Sequence, residues 1–377
     1  MNRNILIFRH TPIDVDIKMY EYFAKYLWQG DVVVYAETSF KSCRKICGFQ
    51  ESAAEIQTII IDKTDIVFDN DFFLSNKNEI FIFYGIPIVK KYLPFIKKYH
   101  IAYAILSERD MSFYENNTFK TIVKKTFPFI QYIRNRYLFH NLKCYIAMGQ
   151  AGVKCYNRYY CISRKILYDF MYNDGNIPLA PRTIHENDIV KFVYVGRFDY
   201  KIKGVDILLA AFKGVYGNFS LDLIGGYGND ADDAKEKVKK INNAKYLGAC
   251  DKDKLCEVLN EYDVIIVPSR LDGWNLHCNL AINAALGIIT TDQAVSEELV
   301  EQCGNGVVIP AGDVQALRAA VQRVIDNPLI VNEWKKKTTE YAKKISYQTV
   351  AKYLFDILKY SFDNSEKMKK PVCPWML

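Results

Sequence analysis

The sequence predicts an α/β fold in which two Rossmann-like domains follow each other along the chain, and three observations support this prediction. The chain has 377 residues, which is more than one hydrophobic core usually holds. Short apolar runs alternate with longer segments of helical periodicity, which is typical of βαβ units on a parallel sheet. The alternation pauses at a turn-rich stretch near residue 175 and then restarts, so two such sheets are expected.

The first domain is expected to span residues 1–175. Helical periodicity covers residues 15–28 and 119–139, while short β-rich runs indicate the strands between them. Six strands are predicted, at residues 5–8, 32–35, 58–61, 80–84, 101–106 and 144–147. Because these runs are apolar throughout, we expect a parallel sheet with helices on both faces.

A linker at residues 176–190 is expected to lead into a second domain at residues 191–345. Residues 346–377 are expected to form a C-terminal helix and tail that return to the first domain. The second domain has predicted strands at 192–195, 221–224, 264–267, 288–291 and 307–309, and predicted helices at 205–215, 233–241, 254–261 and 314–326. Two Rossmann-like halves in tandem predict a ligand cleft between them, at the carboxyl ends of the strands.

Positive charge is concentrated in the first domain. The whole chain carries a formal charge of +7, and residues 81–143 contain 11 Lys and Arg against 3 Asp and Glu. In residues 86–99 and 119–139, basic side chains alternate with aromatic and aliphatic ones at roughly helical spacing. Two interpretations stay open: a helix face that touches anionic lipid, or an amphipathic core helix with a solvated basic face. No nucleic-acid motif accompanies the charge, so nucleic acid is not expected as a partner.

The composition also bears on location. The apolar run at residues 5–8 is too short for the core of a signal peptide, and no apolar stretch approaches the roughly 20 residues that cross a bilayer. The expected location is therefore the cytoplasm, with peripheral binding to the inner face of the cell membrane if the basic segments touch lipid.

Neither a metal nor a cofactor is expected. The ten cysteines are scattered, and none shows the Cys-x-x-Cys spacing of zinc sites. Asp-x-Asp triplets can hold divalent cations, but their neighbours here are typical of loops and helix starts. These triplets are Asp14/Asp16, Asp69/Asp71 and Asp251/Asp253.

The second domain contains a candidate diphosphate cradle. Gly196 and Arg197 end its first predicted strand, and Lys203 lies at the start of the following helix. An Arg provides bidentate hydrogen bonds, a Lys provides a compact charge, and a helix N-terminus adds free N–H groups. Ordinary surface ion pairs are the alternative for each of these side chains taken alone.

Further glycine-containing loops follow the later strands of this domain. Gly225 and Gly226 come after the second predicted strand, where glycine lets the backbone approach a ligand. A buried strand at residues 264–267 ends in Pro-Ser-Arg, and the loop Asp-Gly-Trp-Asn-Leu at residues 272–276 then leads into a helix.

Taken together, these motifs resemble a known family. The segments at residues 196–206, 268–275, 296–299 and 306–313 are similar, in order and spacing, to the donor half of family 4 glycosyltransferases of the GT-B fold. The resemblance covers about residues 191–328. It implies a metal-free transferase that moves a hexose from a nucleotide-diphosphate sugar to a cell-surface glycan precursor, including a lipid-linked one, with retention of anomeric configuration.

The resemblance also implies roles for individual residues. Arg197 and Lys203 would hold the diphosphate and stabilise the charge on the departing nucleotide, and Asp272 would accept hydrogen bonds from the donor sugar; these three are the candidate catalytic residues. The family's second acidic residue falls on Leu280, so the ribose contact would be weak or supplied by Asn279 or Asn283. The candidate donor-binding residues are Gly196, Gly225, Gly226, Gly273, Trp274, Asn275, Leu276 and Leu280.

The acceptor side carries less information. His10, Glu108 and Arg109 are candidates there, although residues 9–12 replace the Gly-Gly that the family places after its first strand. The five histidines form no obvious constellation, so core or surface roles are predicted for the others, His277 among them. Two other classes stay open: a nucleotide-sugar epimerase on the same fold, and a binding protein that has lost turnover.

Overall fold

The computed structural model describes residues 3–12, 16–39, 56–113, 133, 135–171, 173, 181–295, 297–363 and 368–376. The described residues group into two compact units. The first comprises those up to residue 173 together with those from residue 347 onward, and the second comprises residues 181–346. Among the described helices, none is long and apolar enough to span a bilayer.

The first unit is built on one sheet of seven strands that pair in parallel, in the order β3-β2-β1-β4-β5-β6-β7. The direction of the chain across the sheet reverses between β1 and β4, which makes this point a topological switch point. The strands are β1 (Ile5–Arg9), β2 (Val32–Ala36), β3 (Gln57–Ile60), β4 (Ile80–Tyr84), β5 (Tyr103–Ser107), β6 (Leu142–Met148) and β7 (Leu167–Phe170).

Helices α1 (Ile17–Tyr22), α2 (Asn70–Ser75), α3 (Ile86–Lys98) and α4 (Gly149–Tyr160) connect these strands. The helix predicted at residues 15–28 begins at Ile17 and passes into a π-helical turn at Phe23–Leu27. The helix predicted at residues 119–139 lies mostly outside the described residues.

Aromatic side chains dominate the core of the first unit. The ring of Phe8 in β1 lies 5.0 Å from the rings of Tyr35 and Tyr92, measured between centroids, and 5.3 Å from that of Phe83. Such pairs add about 0.5–1.5 kcal/mol each beyond the area they bury. This cluster holds α3 against β1, β2 and β4 and so fixes the ends of these strands.

The second unit has six strands that also pair in parallel, in the order β10-β9-β8-β11-β12-β13. They are β8 (Val190–Gly196), β9 (Phe219–Gly225), β10 (Ala244–Gly248), β11 (Val264–Val267), β12 (Gly287–Thr291) and β13 (Gly306–Ile309). The helices are α5 (Tyr200–Lys203), α6 (Val205–Phe212), α7 (Ala231–Val238), α8 (Lys252–Leu259), α9 (Leu276–Asn283), α10 (Glu297–Cys303), α11 (Val314–Asp326) and α12 (Ile330–Ala342). The two parallel sheets confirm the predicted α/β fold class.

A buried carboxylate joins several elements at the amino edge of the second sheet. Asp263, directly before β11, is fully buried and accepts hydrogen bonds from Lys335 Nζ at 2.7 Å, Arg182 Nη1 at 2.8 Å and the Lys191 backbone N–H at 2.9 Å. Burial lowers the pKa of Lys335, and the Asp263 carboxylate opposes that effect. These contacts attach α12 and the segment before β8 to the start of β11.

The C-terminal helix α13 (Tyr347–Phe362) belongs to the first unit, as the sequence predicted. Its residues Tyr347 and Phe355 place their rings 5.8 Å from Tyr22 and 6.1 Å from Trp28, respectively. Arg3 Nη2 donates a 3.0 Å hydrogen bond to the Phe362 carbonyl at the other end of the helix. The first and last parts of the chain thus pack together.

Two strands were absent from the prediction. β7 is only four residues long and includes the buried Asp169, which interrupts the apolar run. β10 is an edge strand whose residues are half-buried or exposed, so it lacks the apolar pattern of an interior strand. In both cases the pairing partner, rather than local hydrophobicity, defines the strand.

Candidate functional site

The candidate donor site lies at the carboxyl ends of β8, β9 and β11 in the second unit. Gly225 ends β9 with φ +117°, and a Cβ there would lie 2.2 Å from the Gly196 carbonyl oxygen at the end of β8. Gly204, between α5 and α6, has φ +65°, and a Cβ there would lie 2.0 Å from the Pro268 carbonyl oxygen. Only glycine fits these two close approaches, which bring the three strand ends together.

Lys203 and Asp272 meet in this site. Lys203 is the last residue of α5, a short helix whose N-cap Asp199 accepts a 2.9 Å hydrogen bond from the Ile202 backbone N–H. Its Nζ lies 2.5 Å from Asp272 Oδ2, and their side chains are only 14% and 13% exposed. Arg197, in contrast, has an exposed side chain beyond the end of β8. The site therefore presents one cation bound to a carboxylate and one that reaches toward solvent.

The loop after β11 orients the Asp272 carboxylate. Asp272 Oδ1 accepts a 3.0 Å hydrogen bond from the Gly273 backbone N–H, and Oδ2 accepts one of 2.9 Å from Asn275 Nδ2. Arg270 forms a bidentate pair with Asp206 in α6, at 2.6 and 2.7 Å, which fixes the start of the loop. Held from three directions, Asp272 is preorganised to accept hydrogen bonds from a ligand.

Helix α9 begins at Leu276, directly after the N-cap Asn275. The buried Trp274 side chain donates a 2.9 Å hydrogen bond from Nε1 to Asn279 Oδ1, so Asn279 faces the interior. Asn283 is also buried, whereas Leu276 and Leu280 are half-buried. Position 280 is therefore outside the fully buried face of α9, and the two asparagines lie on that face.

His277 belongs to this site, although the sequence indicated a core or surface role. Its Nδ1 lies 2.8 Å from Asn275 Oδ1, and its Cε1 would lie 3.5 Å from a Cβ on Gly196. Burial and, to a smaller extent, the Lys203 charge lower the pKa of His277 to about 4, against the opposing effect of the Asp272 carboxylate. The only sequence signal is its place two residues after an N-cap Asn, which is too general to identify a site residue.

The three candidates on the acceptor side lie at the carboxyl edge of the first sheet, but not in one cluster. Glu108 and the buried Arg109 follow β5 and line a cavity of about 340 Å³ together with Tyr156 and Tyr160. His10 follows β1 and contacts Glu37 instead, with Nδ1 3.2 Å from Oε2. The structure thus brings Glu108 and Arg109 together and places the exposed His10 in a separate group, beside Glu37.

Helix α3 carries one of the two predicted basic segments of the first unit. Lys90, Lys91 and Lys98 are exposed, whereas Lys97 is half-buried with its ammonium over the Tyr137 ring. Lys91 pairs with Glu37 at 2.9 Å and Lys98 donates to Asn70 Oδ1 at 2.8 Å. Lys124 and Lys125, the other two lysines of the proposed lipid-binding face, lie outside the described residues.

Within the described ranges, no group of three or more His, Cys, Asp or Glu side chains could hold a metal ion. Asp69 caps α2 by accepting hydrogen bonds from the Asp71 and Phe72 backbone N–H groups at 3.0 and 3.1 Å. This Asp-x-Asp triplet therefore starts a helix. Of the other two triplets, Asp14 and the Asp253 side chain are outside the described part of the chain.

Two parallel Rossmann-like sheets with a C-terminal helix on the first unit define the GT-B class, and the solved structures that the chain resembles include glycosyltransferases. Residues 190–327 match the family model of the glycosyl transferases group 1. HepE from Anabaena, solved with UDP and glucose, superposes with a TM-score of 0.71 at 12% identity, covering 95% of this chain and all of HepE. The lipopolysaccharide outer core galactosyltransferase WaaB has a TM-score of 0.66 at 11% identity, covering 94% and 99% of the two chains.

The curated relatives match only part of the chain. Glycogen synthase from Mycobacterium tuberculosis is 27% identical over 168 residues, which are 43% of this chain and 40% of the synthase. The chain spans about half the length of the curated relatives it matches, or less. The match to the group 1 glycosyltransferase model falls in the second unit.

Proposed function

We propose that this protein is a retaining glycosyltransferase that moves a hexose from a nucleotide-diphosphate sugar to a cell-surface glycan precursor carried on a lipid. The observation that supports the proposal most is the network of Lys203, Asp272 and Asn275 at the carboxyl ends of the strands of the second unit. HepE, which shares the fold, binds UDP and glucose, and WaaB acts on a lipopolysaccharide. UDP and glucose are the parts of a nucleotide-diphosphate sugar, and a lipopolysaccharide is a glycan carried on a lipid.

In this proposal the second unit binds the donor. Arg197 and Lys203 hold the diphosphate and stabilise the negative charge that develops on it as the glycosidic bond breaks, a contribution that commonly is the largest in catalysis. Asp272 accepts hydrogen bonds from the donor sugar, and the backbone N–H groups of Trp274 and Asn275 complete the contact. The phosphate that leaves takes the proton of the acceptor hydroxyl, so neither a protein base nor a metal ion is needed.

The first unit binds the acceptor in this proposal. The lining of the cavity beside Glu108 and Arg109 includes the hydroxyl-bearing side chains Ser107, Tyr156 and Tyr160, and such side chains suit the hydroxyl groups of a glycan. Tyr156 is oriented by Ser107, whose Oγ lies 2.7 Å from its hydroxyl oxygen, so part of this lining is preorganised.

A second candidate function rests on Leu280. An acidic residue at this position would accept hydrogen bonds from the ribose hydroxyls, and Leu has no acceptor. A protein that binds a nucleotide sugar without transferring it would tolerate that loss. Because Lys203, Asp272 and their partners are all in place, we favour the transferase.

The experiment that tests the proposal measures sugar release from UDP-, GDP- and ADP-glucose with and without a lipid-linked glycan acceptor, in the presence of EDTA. We expect one of the three donors to raise the melting temperature of the protein. We also expect this donor to be consumed only when the acceptor is present. Consumption without an acceptor requirement contradicts transfer. Loss of activity in EDTA that manganese restores contradicts the metal-free mechanism.

Replacement of Leu280 by Glu is expected to strengthen nucleotide binding. A charge-assisted hydrogen bond to the ribose contributes about 1.5–3 kcal/mol, which corresponds to roughly tenfold to a hundredfold in affinity. Since the side chain is half-buried, the carboxylate can stay hydrated in the unbound protein. Isothermal titration calorimetry with the nucleoside diphosphate measures the effect, and Leu280→Met, which keeps the size without the charge, is the control. Unfolding of Leu280→Glu would instead show that position 280 belongs to the core.

The first unit is expected to bind anionic bilayers through the exposed lysines of α3. Each lysine near a charged surface contributes about 1 kcal/mol, so Lys90→Glu combined with Lys98→Glu is expected to lower partitioning at least tenfold. Co-sedimentation with phosphatidylserine vesicles at low and high salt measures it. The matched control reverses two exposed lysines of the second unit, Lys239 and Lys240. Equal sedimentation of the wild type, the α3 variant and the control would show that the basic face of α3 is solvated and does not bind lipid.

A further inference from the structure

The His277 side chain contacts the donor site without a role in the mechanism above. It is the second residue of α9, and its ring lies close to Gly196 at the end of β8. The charged groups that face it are the Lys203 ammonium from α5 and the Asp272 carboxylate from the loop after β11. Any ligand seated on Lys203 and Asp272 therefore comes near the imidazole.

The hydrogen bonds around Asn275 determine how its amide is oriented. Asn275 Nδ2 lies 2.9 Å from Asp272 Oδ2, and a carboxylate can only accept, so this atom must be the donor nitrogen. Asn275 Oδ1 lies 3.1 Å from the His277 backbone N–H, which can only donate. Both contacts agree on the same orientation, and the reversed amide would put like groups against each other on both sides.

This orientation in turn determines the tautomer of His277. Asn275 Oδ1 is an acceptor, and His277 Nδ1 lies 2.8 Å from it, so Nδ1 must carry the proton. The ring is neutral near pH 7, since its pKa is lowered to about 4. A neutral imidazole with its proton on Nδ1 has an unprotonated Nε2. His277 therefore offers a hydrogen-bond acceptor at the donor site.

An acceptor of this kind selects what it binds. The oxygens of a diphosphate also carry lone pairs, so they are repelled by an unprotonated Nε2. A sugar hydroxyl can donate to it, as it can to the neighbouring Asp272 carboxylate. Two acceptors side by side, one charged and one neutral, match a ligand with two or more hydroxyl groups.

We propose that His277 is a specificity-determining residue whose Nε2 accepts a hydrogen bond from a hydroxyl group of the donor sugar. The inference rests on the proposed function, and it adds a contact that discriminates among sugars by the presence of one hydroxyl. A site that depends on a particular hydrogen bond rejects an analogue that lacks the partner, because the buried acceptor is then left unpaired.

The test compares the affinities of the nucleoside diphosphate and of its glucose conjugate by calorimetry, with the nucleotide chosen from UDP, GDP and ADP by the wild type. We expect His277→Phe to weaken binding of the conjugate roughly tenfold and to leave that of the free diphosphate unchanged. One of the mono-deoxyglucose conjugates, the one that lacks the hydroxyl group bound by His277, is expected to bind the wild type and His277→Phe with equal affinity. The matched control is His185→Phe, which replaces an exposed histidine of the same unit.

A second measurement needs no ligand. Nitrogen-15 chemical shifts of the His277 ring are expected to show a protonated Nδ1 and an unprotonated Nε2 near pH 7. A protonated Nε2 overturns the proposal. So does a His277→Phe variant that loses equal affinity for the diphosphate and its conjugate, or that loses affinity for neither. If the wild type binds none of the nucleotide sugars, the proposed function itself fails. If the wild type binds one of them but His277→Phe behaves as the wild type does, only the His277 assignment fails.

Discussion

Arg197→Ala and Lys203→Ala are expected to weaken binding of a nucleoside diphosphate by about 1.5–3 kcal/mol each, because each removes a charge-assisted contact. The rate of transfer should fall further, by roughly a hundredfold to a thousandfold, since the charge on the departing diphosphate grows in the transition state. Binding of the nucleoside monophosphate should change less. Calorimetry with UDP and UMP, or with the corresponding GDP or ADP pair if the wild type prefers it, measures the difference.

The two variants differ in what else they remove. Lys203 is paired with Asp272 in a half-buried position, so its loss also leaves that carboxylate with one partner fewer. Arg197 is exposed, and its replacement reports on the ligand more directly. Lys201→Ala, on the exposed side of the same short helix as Lys203, is the matched control. Equal losses for the mono- and diphosphate would indicate that both residues support the fold instead of the phosphate.

Asp263→Ala should lower the free energy of unfolding of the second unit by about 3–5 kcal/mol. The substitution leaves Lys335, which is almost fully buried, without the carboxylate that compensates its charge, and unpaired buried charges have effects of this size. Urea denaturation followed by tryptophan fluorescence measures the change, and Trp334, next to Lys335 in α12, lies close to the site.

Two further variants show whether charge is the cause. Asp188→Ala removes the other carboxylate near Arg182, 3.6 Å away and partly exposed, and it should have little effect. Asp263→Ala combined with Lys335→Met removes both buried charges and should recover part of the lost stability. A loss below about 1 kcal/mol in the single variant would mean that water replaces the carboxylate, contrary to the burial seen here.

The interior strands could be predicted because their hydrophobicity is local. β1, β4 and β11 are buried along most or all of their length, and each reads as an apolar run in the sequence. β10 could not be found in this way, because it is held at the sheet edge by its pairing with β9 and not by its own burial. β7 combines short length with a buried Asp169, a pattern that becomes a strand only beside β6.

The candidate site was predictable where glycines and charges follow strand ends. Gly196, Lys203 and Asp272 occur in that order along the chain, and the structure brings them together. His277 could not be found, since its place in the site depends on an amide that is oriented by a carboxylate three residues earlier. Nor did the sequence show that Asn279 is held by Trp274, a contact that forms only once the loop and α9 have folded.

The position of α13 has a consequence for synthesis of the protein on the ribosome. Among the described residues, the second unit comes from one stretch of chain, residues 181–346, whereas the first comes from two, before residue 174 and after residue 346, which lie about 170 residues apart. At roughly 5–20 residues per second, α13 is translated some ten to thirty seconds after β7. During this interval the nascent chain displays the side of α1 and Trp28 that α13 later covers. The second unit can thus fold before α13 has been synthesised. Until then, the apolar surface of the first unit that α13 covers stays accessible to chaperones.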